Sequence, residues 1–463
     1  MSVSLVYMPN TSKKDYEEFY FPNGLLYIYA SLKRSGFDTD LIMLEPEALD
    51  LFVQDVADKD IICFSVNISN KVLVFEAAEE IKKHCDVTVV MGGPFITLMK
   101  DDDLLRFEYA DVFFKGEAEN MLPDYLKNMT DERIIRCPRI EMLDSLAIPA
   151  EQGVIYNNII TSRGCPGKCT FCASPRLWGR KVKLRSASNI FREMSVLYKA
   201  GVDYFVFSDD CFTVSMPRLK ELFGLIEESG MNIIFDVRTR TDLVNEEILD
   251  LLAYNGCVSL SFGIESASER MLKMLDKEQD LVRAEKMIRA CAVRNIRTNL
   301  FFITGIPGED EKDIAQNVGF IRRCRPDWIT AYGLHLFPGT RLEDETGCDV
   351  DWMNLKSTYY LCEQDTIDRN ILRMKRAHMS VYTGDDIEVK PGQKNLFSYY
   401  FDLAVKLSDP DAKEELLNLS LDLYPSAEAY ILLGETTGDK DIIRKGISKM
   451  VFQYIEGLRK NPG

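Results

Sequence analysis

Residues 161–175 read TSRGCPGKCTFCASP, a short loop holding Cys165, Cys169 and Cys172. Gly164, Pro166 and Gly167 surround the first thiol and break any helix or strand there. Phe171 stands directly before the last. The residues just upstream, VIYNNIIT (154–161), are apolar and β-branched and read as a strand. The chain therefore leaves a strand and enters a thiol-bearing loop, the place where alternating strand–helix barrels gather their chemistry.

The alternation continues downstream. YFVFS (204–208), NIIFDVR (232–238), VSLSFGI (258–264), TNLFFITGI (298–306) and WITAYGLHL (328–336) read as further strands. Helix-sized amphipathic segments such as NIFREMSVLYKAG and EEILDLLAYNG separate them. Six strands with five intervening helices predict a partial (β/α)6 barrel over residues 154–345. Upstream, residues 1–130 repeat the rhythm at shorter period. SLVYM (4–8), DLIML (40–44), IICFSV (61–66), VTVVMGG (87–93) and DVFFKGE (111–117) read as strands. Between them lie helical stretches such as KVLVFEAAEEIKKHC and the stripe Leu25, Leu26, Ile28, Tyr29, Leu32, which stops at Gly36. Five parallel strands predict a doubly wound, flavodoxin-like (Rossmann-type) α/β domain, with its ligand crevice at the strand carboxyl ends. Residues 131–153 read as a connector between the two. Residues 346–463 lose the alternation. There DWMNLKSTYYLCEQ, FSYYFDLAVKLS, AEAYILLG and IIRKGISKMVFQYIEGL read as a helical C-terminal domain.

The 463 residues suit two to three domains, and 46% hydrophobic content is ordinary for a protein with real cores. Lysine and arginine total 56 against 73 acidic residues, a formal charge of −17, which opposes binding to nucleic-acid backbones. The N-terminus lacks the basic-then-apolar pattern of a signal peptide, and no apolar run approaches a membrane span. The expectation is a cytoplasmic protein with reduced cysteines and neither membrane nor nucleic-acid partners. The nine scattered cysteines, Cys211 among them, read as small buried hydrophobes.

The clustered thiols need another account. A disulfide needs an oxidising compartment. Zinc wants four tetrahedral ligands, and the only histidines, His84, His335 and His378, lie far off in sequence. A structural metal knuckle remains the rival. Three closely spaced thiolates suit an iron–sulfur cluster, and three protein ligands on a four-iron cubane leave one iron open to a small molecule.

The run CPGKCTFC after the first barrel strand resembles the signature of the radical S-adenosylmethionine (SAM) superfamily, CxxxC followed by an aromatic, any residue and Cys, with Phe171 as the aromatic. The resemblance implies that Cys165, Cys169 and Cys172 ligate a [4Fe–4S] cluster whose open iron binds SAM. Reductive cleavage of SAM then yields a 5′-deoxyadenosyl radical. Later strand ends fall on the same face. FSDDCF supplies Asp209 and Asp210, DVRTRTD supplies Arg238, SFGIES supplies Gly263 and Glu265, FITGIPGE supplies Ile306, Pro307 and Gly308, and LFPGT supplies Pro338 and Gly339. By the same resemblance Glu265 accepts from the SAM ribose, the Ile306-Pro307-Gly308 segment contacts adenine, and Phe171, Arg238 and Gly263 complete the SAM site. Asp209, Asp210, Cys211, Tyr332 and His335 are candidates for moving a proton or hydrogen atom, with packing as the alternative.

The first domain resembles the cobalamin-binding domain that precedes many such barrels, through PNGLLYIYASLKRSGFD, CFSVN, MGGPF and KGEAE. This implies a corrinoid and nucleotide tail lined by Asn10, by Gly24 and Leu25, by Ser65, Val66 and Asn67, by Gly92, Gly93 and Pro94, and by Gly116 and Glu117. Phe95 stands where relatives often have histidine, so no cobalt ligand is expected there. Together the resemblances imply a cobalamin-dependent methyltransferase acting on an unactivated carbon of a small molecule or peptide, with an external electron donor such as flavodoxin or ferredoxin. The alternative is a radical SAM enzyme that dehydrates, cyclises, epimerises or contracts a ring, with a first domain that has lost cobalamin or does not donate a methyl group from it. A tRNA- or protein-thiolating enzyme is disfavoured, because Cys63, Cys85 and Cys137 are too dispersed for a second cysteine triplet.

Overall fold

The computed structural model describes residues 1–9, 21–56, 59–355 and 359–382, with scattered residues from 413 to 442. Apolar runs become strands and amphipathic stripes become helices, and two parallel sheets result. The first holds β1 (Ser2–Tyr7), β2 (Asp38–Met43), β3 (Ile61–Ser65), β4 (Thr88–Gly92), β5 (Val112–Gly116) and β6 (Ile134–Cys137), in the order β2-β1-β3-β4-β5-β6. The winding reverses between β1 and β3, so helices cover both faces. On one face Leu25 and Leu32 of helix Asn23–Arg34 and Leu122 and Leu126 of helix Met121–Asn128 pack on Leu5, Cys63, Val90 and Phe114. On the other, Val74 and Ile81 of helix Lys71–His84 pack on Ile62, Phe64, Val89 and Phe113.

β6 corrects the five-strand expectation, since it lies inside the stretch read as a connector. It is a four-residue edge strand with only Ile135 buried, so it shows no alternation to read.

The second part begins with β7 (Asn158–Ile159), shorter than the eight-residue run suggested. An antiparallel ribbon, β8 (Ser162–Arg163) with β9 (Lys183–Leu184), follows it. Then come β10 (Tyr204–Phe207), β11 (Ile234–Thr239), β12 (Cys257–Glu265), β13 (Arg297–Thr304) and β14 (Trp328–Gly333). The six-stranded sheet runs β14-β13-β12-β11-β10-β7, strictly in chain order. Right-handed crossovers in that order place every intervening helix on one face. Under those helices Phe205, Phe207, Phe235, Leu260, Phe262, Leu300 and Phe302 are all 0% exposed. The alternate positions on the other face are half-buried or exposed and mix polar side chains, among them Tyr204, Asp236, Arg238, Ser261, Asn299 and Thr330, with apolar ones such as Val206, Phe301 and Ile303.

Residues 351–355 and 359–363 do not take up the expected helix. The described part is a series of turns in which the Asp351 carboxylate accepts from Asn354, Trp352 is buried, and Tyr360 makes an isolated bridge to His335. The burial of Trp352 and the bridge of Tyr360 to His335 override the helical pattern. The helix of this region starts later, at Gln364, and runs to Tyr382. The other three C-terminal segments read as helical lie almost wholly outside the described residues. The chain divides into two compact units, residues 1–324 with 329–376, and residues 325–328 with 377–463. Among the described residues no helix is long and apolar enough to cross a membrane.

Candidate cluster loop and cofactor cavity

The β8–β9 ribbon brackets the cysteine loop like a staple. Gly164 opens it at φ +103, where a side chain would strain the turn. The loop is tied to the barrel at its middle, because Thr170 N–H donates to Leu275 C=O (2.9 Å) and Thr170 C=O accepts from Leu342 N–H (2.9 Å). Cys165, Cys169 and Cys172 are all half-buried. The Cys165 sulfur lies 3.5 Å from the Cys211 sulfur and 3.4 Å from the Gly167 N–H. These two contacts lower its pKa to about 7, against the opposing effect of burial. Burial pushes the Cys172 thiol up to about 12 and raises that of Cys169 as well.

Among the described residues no three His, Cys, Asp or Glu side chains are grouped as the ligands of one ion. The fit to a cluster rests on donor chemistry instead. Three soft thiols stand on one pinned, glycine-broken loop, and a cluster of several irons spreads its thiolates wider than a single ion does.

Glu265 ends β12 in a left-handed conformation, φ +63, at a register shift against β13. Its carboxylate pairs with Lys277 at 2.8 Å, and Lys277 also donates to Gly263 C=O at 2.7 Å. A Cβ at Gly263 would stand 2.5 Å from Glu265 Oε1 and 2.9 Å from Lys277 Nζ, so the glycine is needed for the pair. Arg238 is exposed on the open face of β11. Phe171 packs partly against the core that also holds Ile306, whose side chain is 2% exposed and therefore points inward. Gly308 turns at φ +77 and its C=O accepts from Arg270.

The structure gives other work to several candidates. Asp209 is buried and accepts from the Thr161 N–H and hydroxyl and from the Ser162 hydroxyl, so it anchors the strand entering the cysteine loop. Asp210 accepts from Ser174. Cys211 is fully buried. His335 Nε2 meets the Tyr360 hydroxyl at 3.1 Å, and Tyr332 is 51% exposed on the open face of β14.

A cavity of about 210 Å³ lies at the carboxyl ends of β1, β3, β4 and β5. Gly24, Leu25, Ser65, Gly92, Gly93, Pro94, Gly116 and Glu117 line it. Val66 is instead buried, and the Asn67 side chain closes its own turn onto Ser69 and Asn70. Asn10 lies outside the described residues. Gly93, at φ +100, admits no side chain, since a Cβ would stand 2.6 Å from Val66 C=O. Phe95 is 1% exposed and packs edge-on to Phe75, which leaves no ligand at that position.

Sequence reasoning missed the opposite wall of this cavity. Ile160, Arg163, Leu177 and Trp178, all from the cysteine-loop region, also line it. Arg163 is buried between two carboxylates, donating to Glu117 at 2.5 Å and to Glu119, and its guanidinium lies 5.2 Å over the Trp178 ring. Burial disfavours its charge, yet Glu119 and Glu117 hold its pKa above the usual arginine value. Adjacency of Arg163 to the loop was a signal, but its partners lie more than forty residues upstream.

Comparison with known proteins agrees with this geometry. Residues 159–321 match the Radical SAM superfamily, and residues 14–126 match the B12 binding domain. An uncharacterised methyltransferase of Pyrococcus horikoshii is 27% identical over 360 residues, 69% of this chain and 77% of that protein. The anaerobic magnesium-protoporphyrin IX monomethyl ester cyclase of Rubrivivax gelatinosus is 24% identical over 401 residues, 76% of this chain and 71% of that one. The radical SAM methyltransferase TsrM from Kitasatospora setae, solved with cobalamin and a [4Fe–4S] cluster, superimposes with a TM-score of 0.68 at 16% identity. That superposition covers 97% of this chain and 100% of the other, and establishes the shared fold.

Proposed function

Because one chain joins a B12 binding domain to a radical SAM domain, we propose that it is a cobalamin-dependent radical SAM methyltransferase acting on an unactivated carbon of a small molecule or peptide. Its cofactors are a [4Fe–4S] cluster, SAM and cobalamin. The observation that carries the reading is the cavity walled on one side by the glycine loops of the first sheet and on the other by Arg163 and Trp178 of the cysteine loop. A ligand there and a cluster at Cys165, Cys169 and Cys172 share one stretch of chain.

When bound, the cluster supplies the electron that opens the sulfonium C–S bond, and the corrinoid carries the transferable methyl group. The protein binds and orients. Cys165, Cys169 and Cys172 hold the cluster. Glu265, fixed by Lys277, offers a carboxylate to the ribose hydroxyls of SAM. Arg238 offers an exposed guanidinium to a carboxylate. The Gly93 and Gly116 turns, packed on the backbone of Val66 and Cys137, shape the wall that would face the corrinoid, and Trp178 with Leu25 and Leu177 would exclude water from its apolar parts.

The open face of the second sheet supports a polar substrate. Tyr204 O–H donates to Asp236 at 2.5 Å and Thr330 O–H to Asn299 at 3.1 Å. Burial raises the Asp236 pKa, and one of its oxygens is buried without a partner. An external reductant such as flavodoxin or ferredoxin supplies electrons, in a cytoplasmic setting that keeps the thiols reduced.

Anaerobic reconstitution tests the reading. Purified with iron, sulfide and cobalamin, the protein should carry about four irons per chain and near-stoichiometric corrinoid. With dithionite it should release 5′-deoxyadenosine from SAM. Iron retained after joint Cys165, Cys169 and Cys172→Ala substitution overturns the cluster assignment. The similarity to the Rubrivivax cyclase favours a second reading, radical chemistry without methylation. SAM labelled in its methyl group separates the two, since only methylation moves the label into product.

A further inference from the structure

Cys211 follows β10 and its side chain is 0% exposed. The chain is fixed on either side of it, two residues away in each direction. Asp209 is held by Thr161 and Ser162, and Thr213 shares a hydrogen bond of 2.6 Å with Thr239 of β11. Phe212 stacks on Phe207 with ring centres 4.5 Å apart. The Cys211 sulfur is thereby set in place 3.5 Å from that of Cys165, within reach of a sulfur hydrogen bond. Such a contact has one possible polarity once Cys165 binds iron. An iron-bound thiolate has no proton and accepts, and a neutral thiol donates.

We propose that Cys211 is a positioning residue for the cluster. Its S–H donates to the Cys165 thiolate and raises the cluster's reduction potential, easing delivery of the electron that cleaves SAM. This rests on the cluster assignment made above. Reduction adds negative charge that spreads onto the thiolates, and a donor aimed at one of them stabilises the reduced form more than the oxidised one. The Gly167 N–H, 3.4 Å from the same sulfur, acts in the same direction but is backbone, so Cys211 is the part that substitution can remove.

The test uses the anaerobically reconstituted full chain and its Cys211→Ala and Cys211→Ser variants, without substrate. Iron and sulfide content are measured, and the cluster is titrated electrochemically with electron paramagnetic resonance as the readout. Iron content should be equal in all three. The alanine variant should hold up to about tenfold less reduced cluster at a fixed potential, a midpoint lowered by up to ~59 mV for one electron. Serine should recover part of the shift, since its O–H also donates. An unchanged midpoint in the alanine variant, with the cluster present, overturns the proposal and leaves the cluster assignment standing. Loss of iron in the alanine variant makes Cys211 a ligand and overturns it too. If alanine prevents folding, Cys211→Val fills the space without a donor and carries the same prediction.

Discussion

Glu265 concentrates several constraints in one residue. It takes a left-handed backbone that costs a non-glycine residue of order 1–3 kcal/mol. Its charge is matched by Lys277, itself almost fully buried. A carboxylate held this firmly at the end of a barrel strand is suited to a fixed hydrogen-bonding partner. Glu265→Ala should weaken SAM binding tenfold or more, in line with about 1.5–3 kcal/mol for hydrogen bonds to a charged group, with iron content unchanged. Glu265→Gln, which can still bond Lys277, should fall between. Equilibrium dialysis with labelled SAM measures both, and unaltered affinity in the alanine variant removes the ribose role. At this scale the sequence was informative where spacing carries chemistry. The three thiols and the strand-end acid fall in the fold where local pattern placed them, on the loop after the first barrel strand and at the end of β12. Lys277 was not legible, since it reaches Glu265 across a helix and turn that no local pattern encodes. Asp209 looked catalytic because a carboxylate at a strand end resembles a reagent, whereas its oxygens satisfy Thr161 and Ser162.

Between elements, the decisive contact is the insertion of β8 against the loop after β5. Arg163 brings a charge into a buried place and survives there because Glu117 and Glu119 both face it. Breaking such a group by removing one partner leaves uncompensated charge, at a cost of about 3–5 kcal/mol. Arg163→Met should lower stability by that order in chemical denaturation. Adding Glu117→Gln and Glu119→Gln should recover much of it, because the buried carboxylates are then neutral. Equal stability of the single and triple variants contradicts this account. Elements that bury both faces, such as β3 and β4, were legible as continuous apolar runs. β6 was hidden because an edge strand with one buried side chain leaves no period, and residues 351–355 and 359–363 misled because the turn-anchoring Trp352, Tyr359 and Tyr360 recur at helical spacing. The Arg163 contact joins segments whose proximity only the fold creates.

For the larger unit, the question is whether one cavity serves both domains. Its floor is formed by Gly92, Gly93 and Gly116 and its far wall by Trp178. A corrinoid bound there touches both the B12 binding domain and the cysteine loop, so binding it should stabilise the two together. At cobalamin near 100 times its dissociation constant the gain is about 2.7 kcal/mol, visible as a raised unfolding midpoint in protein prepared without iron. Trp178 supplies a second readout, as one of three tryptophans in the chain and the one that lines the cavity. Cobalamin should quench its emission, and Trp178→Phe should abolish most of the quench while keeping affinity close to the parent's. Trp178→Ala opens the wall, and full burial of a large apolar side chain is worth roughly 1.5–3 kcal/mol, so affinity should fall about tenfold or more with iron content unchanged. If the alanine variant binds cobalamin as tightly as the parent and the ligand leaves Trp178 emission untouched, the corrinoid lies elsewhere and the shared wall has another purpose.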